Sequence, residues 1–182
     1  MTVSAVAQRV LTAPARLGAV RLVVVDGPAG SGKTTYADAL AAALGDAPVV
    51  HMDDLFGGWA GALVPDVWRR LEAQVLAPLR DGRTARYQRY DWGADEFGAW
   101  IDVPRHPALV LEGVGSAARP VDPWAVARVW VEAPADLRLD RGIARDGPAM
   151  REHWLRFQET EDAHFASDRT RDRADVIVDG TA

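Results

Sequence analysis

Residues 27–34 read Gly27-Pro28-Ala29-Gly30-Ser31-Gly32-Lys33-Thr34, the full pattern G-x-x-x-x-G-K-[ST]. Glycines at these positions let successive backbone N–H groups turn inward around an anion. A helix opening at the lysine adds the positive end of its dipole. In such a loop the ammonium reaches the β- and γ-phosphates and the following hydroxyl ligates magnesium. The pattern therefore predicts that ATP and Mg²⁺ bind along Gly27, Pro28, Ala29, Gly30, Ser31, Gly32, Lys33, Thr34 and Thr35. Of the 21 basic residues, Lys33 is the only lysine. It stands where a compact, mobile ammonium differs in function from a planar guanidinium.

Ligands of an open α/β sheet gather at the carboxyl ends of its strands. Here those ends carry Asp26, Asp53, Asp54, Glu112 and Glu132. An accepting hydroxyl needs a carboxylate to orient it and take its proton, and magnesium needs hard oxygen donors. Asp53 follows a short apolar run, and Glu112 follows four apolar residues and precedes a glycine. Those two suit the tasks best. Asp54 and Glu132 read as caps or solvated acids, and Asp26 as a buttress of the loop. His51, His106, His153 and His164 lack metal-ligand spacing and read as structural or surface residues.

For these residues to meet, the chain must place several strand ends together. Leu22–Val25 reads as a buried parallel strand. Residues 33–44 read as a helix closed by Gly45, Pro48–His51 as a second strand, and 65–79 as a helix with Pro65 in its first turn. Residues 84–103 look irregular or hairpin-like. Ala108–Leu111 and Ala127–Val131 are further strands, 135–146 and 149–166 helices, and Ala174–Val178 a last strand. Strands alternating with helices predict an α/β fold, a mostly parallel sheet covered on both faces. Residues 1–20 carry apolar residues at helical spacing before Pro14 and read as an N-terminal helical extension to a single domain, 21–182.

The composition excludes several alternatives. At 182 residues and 48% hydrophobic, the chain is one domain's length and can bury a core. A net charge of −5 argues against broad nucleic-acid or anionic-membrane binding. Absence of cysteine excludes disulfides, a thiolate nucleophile and Cys-ligated metal. No apolar run approaches the roughly 18 residues of a membrane span, and the N-terminus lacks the features of a secretory signal. A cytoplasmic location is expected.

In order along the chain, GPAGSGKT, HMDDLFGGW (51–59), RYDWGADEF (89–97), LVLEGVGS (109–116), VEAPADLRLDRGIARD (131–146) and DRADVIVDG (172–180) resemble the uridine kinase-type branch of P-loop nucleoside and small-molecule kinases. That branch includes pantothenate kinase and phosphoribulokinase relatives. The resemblance spans roughly 21–180. It implies a P-loop NTPase three-layer α/β/α sandwich with a five-stranded, mostly parallel sheet and a helical lid. It also implies that Asp53 orients and deprotonates the acceptor hydroxyl and that Glu112 supports the magnesium. Tyr90, Asp91 and Trp92 would line the acceptor pocket, and Arg145 would close on the phosphates. Asp95 stands where the branch carries a pocket histidine, and Arg141-Gly142 where it carries paired arginines.

Seven aromatic residues, Trp59, Trp68, Tyr87, Tyr90, Trp92, Phe97 and Trp100, fall between the second and third strands. A ring-bearing acceptor, a lid or a homodimer face could each use them. Arg83, Arg86 and Arg89 beside them read as a solvated face. The leading expectation is a kinase moving the γ-phosphoryl of ATP to a small-molecule hydroxyl. A nucleotide kinase would need a second set of anion-binding arginines, and an NTP-binding switch or assembly module would leave Asp53 and the aromatic pocket without purpose.

Overall fold

Leu22 and Val24 point to one side of β1 (Arg21–Asp26), Val23 and Val25 to the other, and all four are fully buried. A strand apolar on both faces must be central and covered twice. The computed structural model, which describes residues 1–181, shows how the covering is done. On the Val23–Val25 side, α1 (Val3–Thr12) and α2 (Lys33–Ala43) bring Val6, Val10 and Leu40 against the sheet. Residues 1–20 thus include a helix whose apolar face is buried in the core.

On the other side, Leu22 and Val24 meet α3 (Pro65–Leu71), a π turn (Glu72–Leu76) and α4 (Ala77–Arg80). The sequence predicts one helix over 65–79, and the path is indeed continuous. Its π turn has a local cause. Pro78 has no N–H to give to the carbonyl of Gln74, and the preceding Ala77 N–H bonds back five residues to Glu72. Residues 84–103 form an antiparallel hairpin, β3 (Ala85–Asp91) and β4 (Glu96–Val103), separate from the main sheet.

The main sheet adds β2 (Val49–His51), β5 (Ala108–Glu112), β6 (Ala125–Glu132) and β7 (Val176–Asp179) to β1, in the order β2-β5-β1-β6-β7. All four strand pairings are parallel. The α5 (Ala135–Asp146) and α6 (Arg151–Asp168) helices pack together after β6. Gly142 permits that packing, because a Cβ there would lie 2.3 Å from the Trp154 ring. This steric demand accounts for a glycine beside Arg141. No described helix is long and apolar enough to cross a membrane.

Candidate active site

The segment between β1 and α2 folds back on the sheet too closely for side chains. At Gly27, φ is 142° and a Cβ would sit 2.0 Å from the Val131 carbonyl oxygen. At Gly30, φ is 77° and the corresponding clash is with the Arg138 backbone at 2.6 Å. Glycine is required at both for conformation and for space. Asp26 fixes the start of this loop. Its buried carboxylate accepts from Gly27 N (2.7 Å), Gly115 N (2.9 Å) and Ala117 N (2.8 Å), joining the loop to the segment after β5. Burial pushes its pKa up to about 6 despite those bonds. The buttressing role expected of Asp26 is what the contacts show.

Lys33 opens α2 and is buried, with Nζ donating to its own loop at Pro28 O (2.9 Å). The ammonium is therefore held over the loop by one replaceable bond. Next to it, Thr34 Oγ1 lies 3.3 Å from Glu112 Oε1. The other Glu112 oxygen is 2.7 Å from His51 Nδ1. This contact raises the His51 pKa, and the pair unites the ends of β2 and β5, which are hydrogen-bonded neighbours. His51 is thus a site residue that reading by metal spacing set aside. Its available signal was position, since it ends a strand two residues before Asp53.

Asp53 is the second residue of the turn after β2 (Met52–Leu55) and opens onto the same cleft. Surrounding protein desolvates its carboxylate and raises its pKa, while Lys33 and Arg145 oppose the rise and Glu112 adds to it. Thr34, Glu112 and Asp53 offer hard oxygens to a magnesium ion. Among the described residues no trio of His, Cys, Asp or Glu forms a metal cage by itself. That suits Mg²⁺, which keeps several waters and shares its shell between one or two carboxylates and substrate phosphates.

The cleft has a volume of about 1170 Å³ and crosses the sheet's carboxyl edge. At the β2 end it is lined by Asp53, Asp54, Phe56, Trp59, Trp92 and Phe157. At the β7 end it is lined by Val178, Asp179 and Gly180 together with Tyr36, Ala39 and Val3 of α1. A pocket for one small ligand is typically about 300–1,000 Å³. A cleft with two ends and the phosphate loop between them has room for two ligands.

Of the residues expected to contact an acceptor, Asp53 and Trp92 line the cleft and Tyr90, Asp91 and Asp95 do not. Asp91 Oδ1 accepts from Gly93 N (2.9 Å) and Ala94 N (3.0 Å), which shapes the hairpin turn. Asp95, at φ 58°, is bonded to the Tyr90 hydroxyl. Tyr90 instead packs edge-on to Trp92 and Phe97. Asp54, read as a cap, accepts from the Tyr87 hydroxyl at 2.8 Å and faces the cleft. Glu132 lies away from it, paired with Arg171.

The helices after β6 grip the loop. Arg141 Nη1 donates to Gly30 O (3.2 Å) and Gly180 O (3.0 Å). Glu161, fully buried on α6, accepts from Ala29 N (2.7 Å) and from Arg138 Nη1 (2.6 Å). Nothing in the local sequence marked it. Burial pushes Glu161 up to about 7, outweighing the Ala29 N–H, Lys33 and Arg138. Glu161 and Asp26 therefore take up protons on folding. Their stabilisation is complete below the unfolded values of 4.5 and 3.8 and is lost as pH rises through about 7 and about 6. The thermal midpoint should fall across that interval. Glu161→Gln cannot titrate and should flatten the upper part of the slope. An unaltered slope in that variant would show that Glu161 stays ionised throughout.

No known family model matches the chain, and no curated protein is similar to it by sequence. Its structure does have close counterparts. A possible uridine kinase from Bacillus stearothermophilus superposes with a TM-score of 0.71 at 20% identity, over 97% of each chain. A candidate fructose transport system kinase from Silicibacter sp. TM1040 gives 0.64 at 22% identity, over 97% of this chain and 98% of the other. The fold is that of the P-loop kinases. In this P-loop kinase fold the loop at 27–34, the acids after β2 and β5, and the α5–α6 pair occupy one cleft. The expected sandwich with five parallel strands is observed.

Proposed function

We propose that the protein is a magnesium-dependent kinase that transfers the γ-phosphoryl group of ATP to a hydroxyl of a small molecule. The observation that carries this reading is the meeting of Lys33, Thr34, Glu112 and Asp53 in a cleft with space beyond Asp53 for a second ligand. In the proposed step the acceptor oxygen bonds to the γ-phosphorus and the bond from that phosphorus to the β-bridging oxygen breaks. ADP leaves, and the hydroxyl proton passes to Asp53. Its raised pKa makes Asp53 a better proton acceptor than an ordinary aspartate. Lys33 supplies positive charge to the phosphates. Bound magnesium, held through Thr34 and Glu112 with Asp53 nearby, would supply further charge neutralisation.

Both solved neighbours are named as kinases, which supports the reaction class. Identities of 20% and 22% do not carry over a substrate. The nucleotide-kinase alternative has less support, because the arginines that line the cleft among the described residues are Arg141, bonded to Gly30 and Gly180, and Arg145, which leaves no second set of arginines for an acceptor phosphate. A release assay for ADP across hydroxyl acceptors, with and without Mg²⁺, tests the proposal. Acceptor-dependent ADP is the expected result. Slow hydrolysis that no acceptor stimulates would favour the switch.

Arg145 lines the cleft but is 68% exposed, held by Asp146 (2.7 Å) and lying over the Trp154 ring. Its charge is felt at Asp53 and Glu112. Swinging from Asp146 to the γ-phosphoryl would let it act mainly when charge develops. Arg145→Ala should lower kcat by about 10²-fold with little change in the KM for ATP. An unchanged kcat would place Arg145 on the helix surface and make Arg141 the next residue to test.

A further inference from the structure

The end of the cleft beyond Asp53 has a chemical character of its own. Four rings, Phe56, Trp59, Trp92 and Phe157, wall it, and Asp54 lies beside Asp53 at its floor. Trp59 joins the wall together. Its ring is 5.5 Å from Trp92 on the hairpin and 5.6 Å from Phe157 on α6, both edge-on. One Asp54 oxygen accepts from Tyr87 at 2.8 Å, and the other has no partner among the described residues.

The basic side chains that line the cleft are each engaged elsewhere. Lys33 bonds Pro28 O, His51 bonds Glu112, Arg141 bonds Gly30 and Gly180, and Arg145 bonds Asp146. Nearby, Arg70 donates to Leu55 O and covers the Phe97 ring, and Arg89 is exposed on β3. Among the described residues no basic side chain is paired with Asp54; His51 is near enough to feel its charge but is bonded to Glu112. Aromatic faces with a carboxylate that no basic side chain pairs suit an alkylammonium, attracted by ring quadrupoles and by charge.

We infer that the phosphoryl acceptor is a small hydroxylated amine, its ammonium held by Asp54 against the aromatic wall that Trp59 and Trp92 form in contact with each other, and its hydroxyl delivered to Asp53. This rests on the kinase reading above. The order of the two acids explains the division of labour. Asp53 shares the cleft with Thr34, Glu112 and Lys33, while Asp54 is tied to the hairpin through Tyr87.

Matched acceptors separate the two ideas. Glucosamine against glucose, and ethanolamine against ethylene glycol, differ in the amine and keep a hydroxyl. The amine of each pair should have at least about a tenfold higher kcat/KM. The advantage should shrink as pH rises and the ammonium deprotonates. Asp54→Asn keeps an acceptor for Tyr87 and should bring each pair to near parity, and Trp92→Leu should weaken the amine member alone. ADP release that is equal for both members, or greater for the neutral ones, overturns the inference and leaves the kinase reading in place. If no member yields ADP, the kinase reading fails for these scaffolds, and binding decides the inference. Saturable quenching of tryptophan fluorescence by choline in wild type but not in Asp54→Asn supports the ammonium site, and absence of quenching overturns it.

Discussion

Lys33→Ala should reduce phosphoryl transfer by on the order of 10³-fold or more while the protein remains folded. The ammonium is the cationic side chain that the loop itself presents, and in the present geometry its one hydrogen bond is to Pro28 O. Losing that bond costs the fold only about 1 kcal/mol. The loop's shape has other supports in Asp26, Arg141 and the Glu161–Ala29 contact. Activity and stability are therefore expected to separate cleanly. Kinetics of ADP release, beside thermal unfolding with and without MgATP, check this. A folded variant with full turnover would remove the basis for assigning the loop to triphosphate chemistry.

Asp53→Asn is expected to lower kcat by about 10²–10⁴-fold, the range for loss of a general base, with MgATP affinity little changed. Asparagine preserves the shape and can still receive a hydrogen bond, but it cannot take the proton. Because the ionised carboxylate is the active form, wild-type kcat/KM should fall as pH drops through the Asp53 pKa. Desolvation by the surrounding cleft, helped by the Glu112 charge, raises that pKa above the ordinary aspartate value of 3.8 although Asp53 keeps access to solvent. Asp54→Asn should act differently, raising the acceptor KM more than it lowers kcat. An inactive Asp54→Asn beside a fully active Asp53→Asn would exchange the two assignments.

Several parts of this site were legible along the chain because their physics is local. The phosphate loop is eight consecutive residues, and its glycines answer to backbone conformations that only glycine adopts freely. Apolar runs ending in acids disclosed β1, β2 and β5 and placed Asp26, Asp53 and Glu112 at their carboxyl ends. Helix boundaries at Lys33 and Gly147 followed from the same short-range rules. The hairpin was less distinct. Its tight turn is built by the Asp91 side chain and a left-handed Asp95, with one strand bulged, so the alternation is broken.

Sequence by itself therefore determined the phosphate loop, the parallel α/β plan and the acids that the strands deliver to one edge. Tertiary structure alone decided which of these side chains meet. Glu112 finds His51 across 61 positions of chain and Glu161 reaches Ala29 across 132, pairings set by sheet order and helix packing rather than by spacing. It also turned Asp95 inward onto Tyr90 and left Asp54 facing the cleft with a free oxygen. The physical reason is range. Backbone preference and capping act over a few residues, whereas the partner of a buried polar group depends on which distant element the core brings beside it.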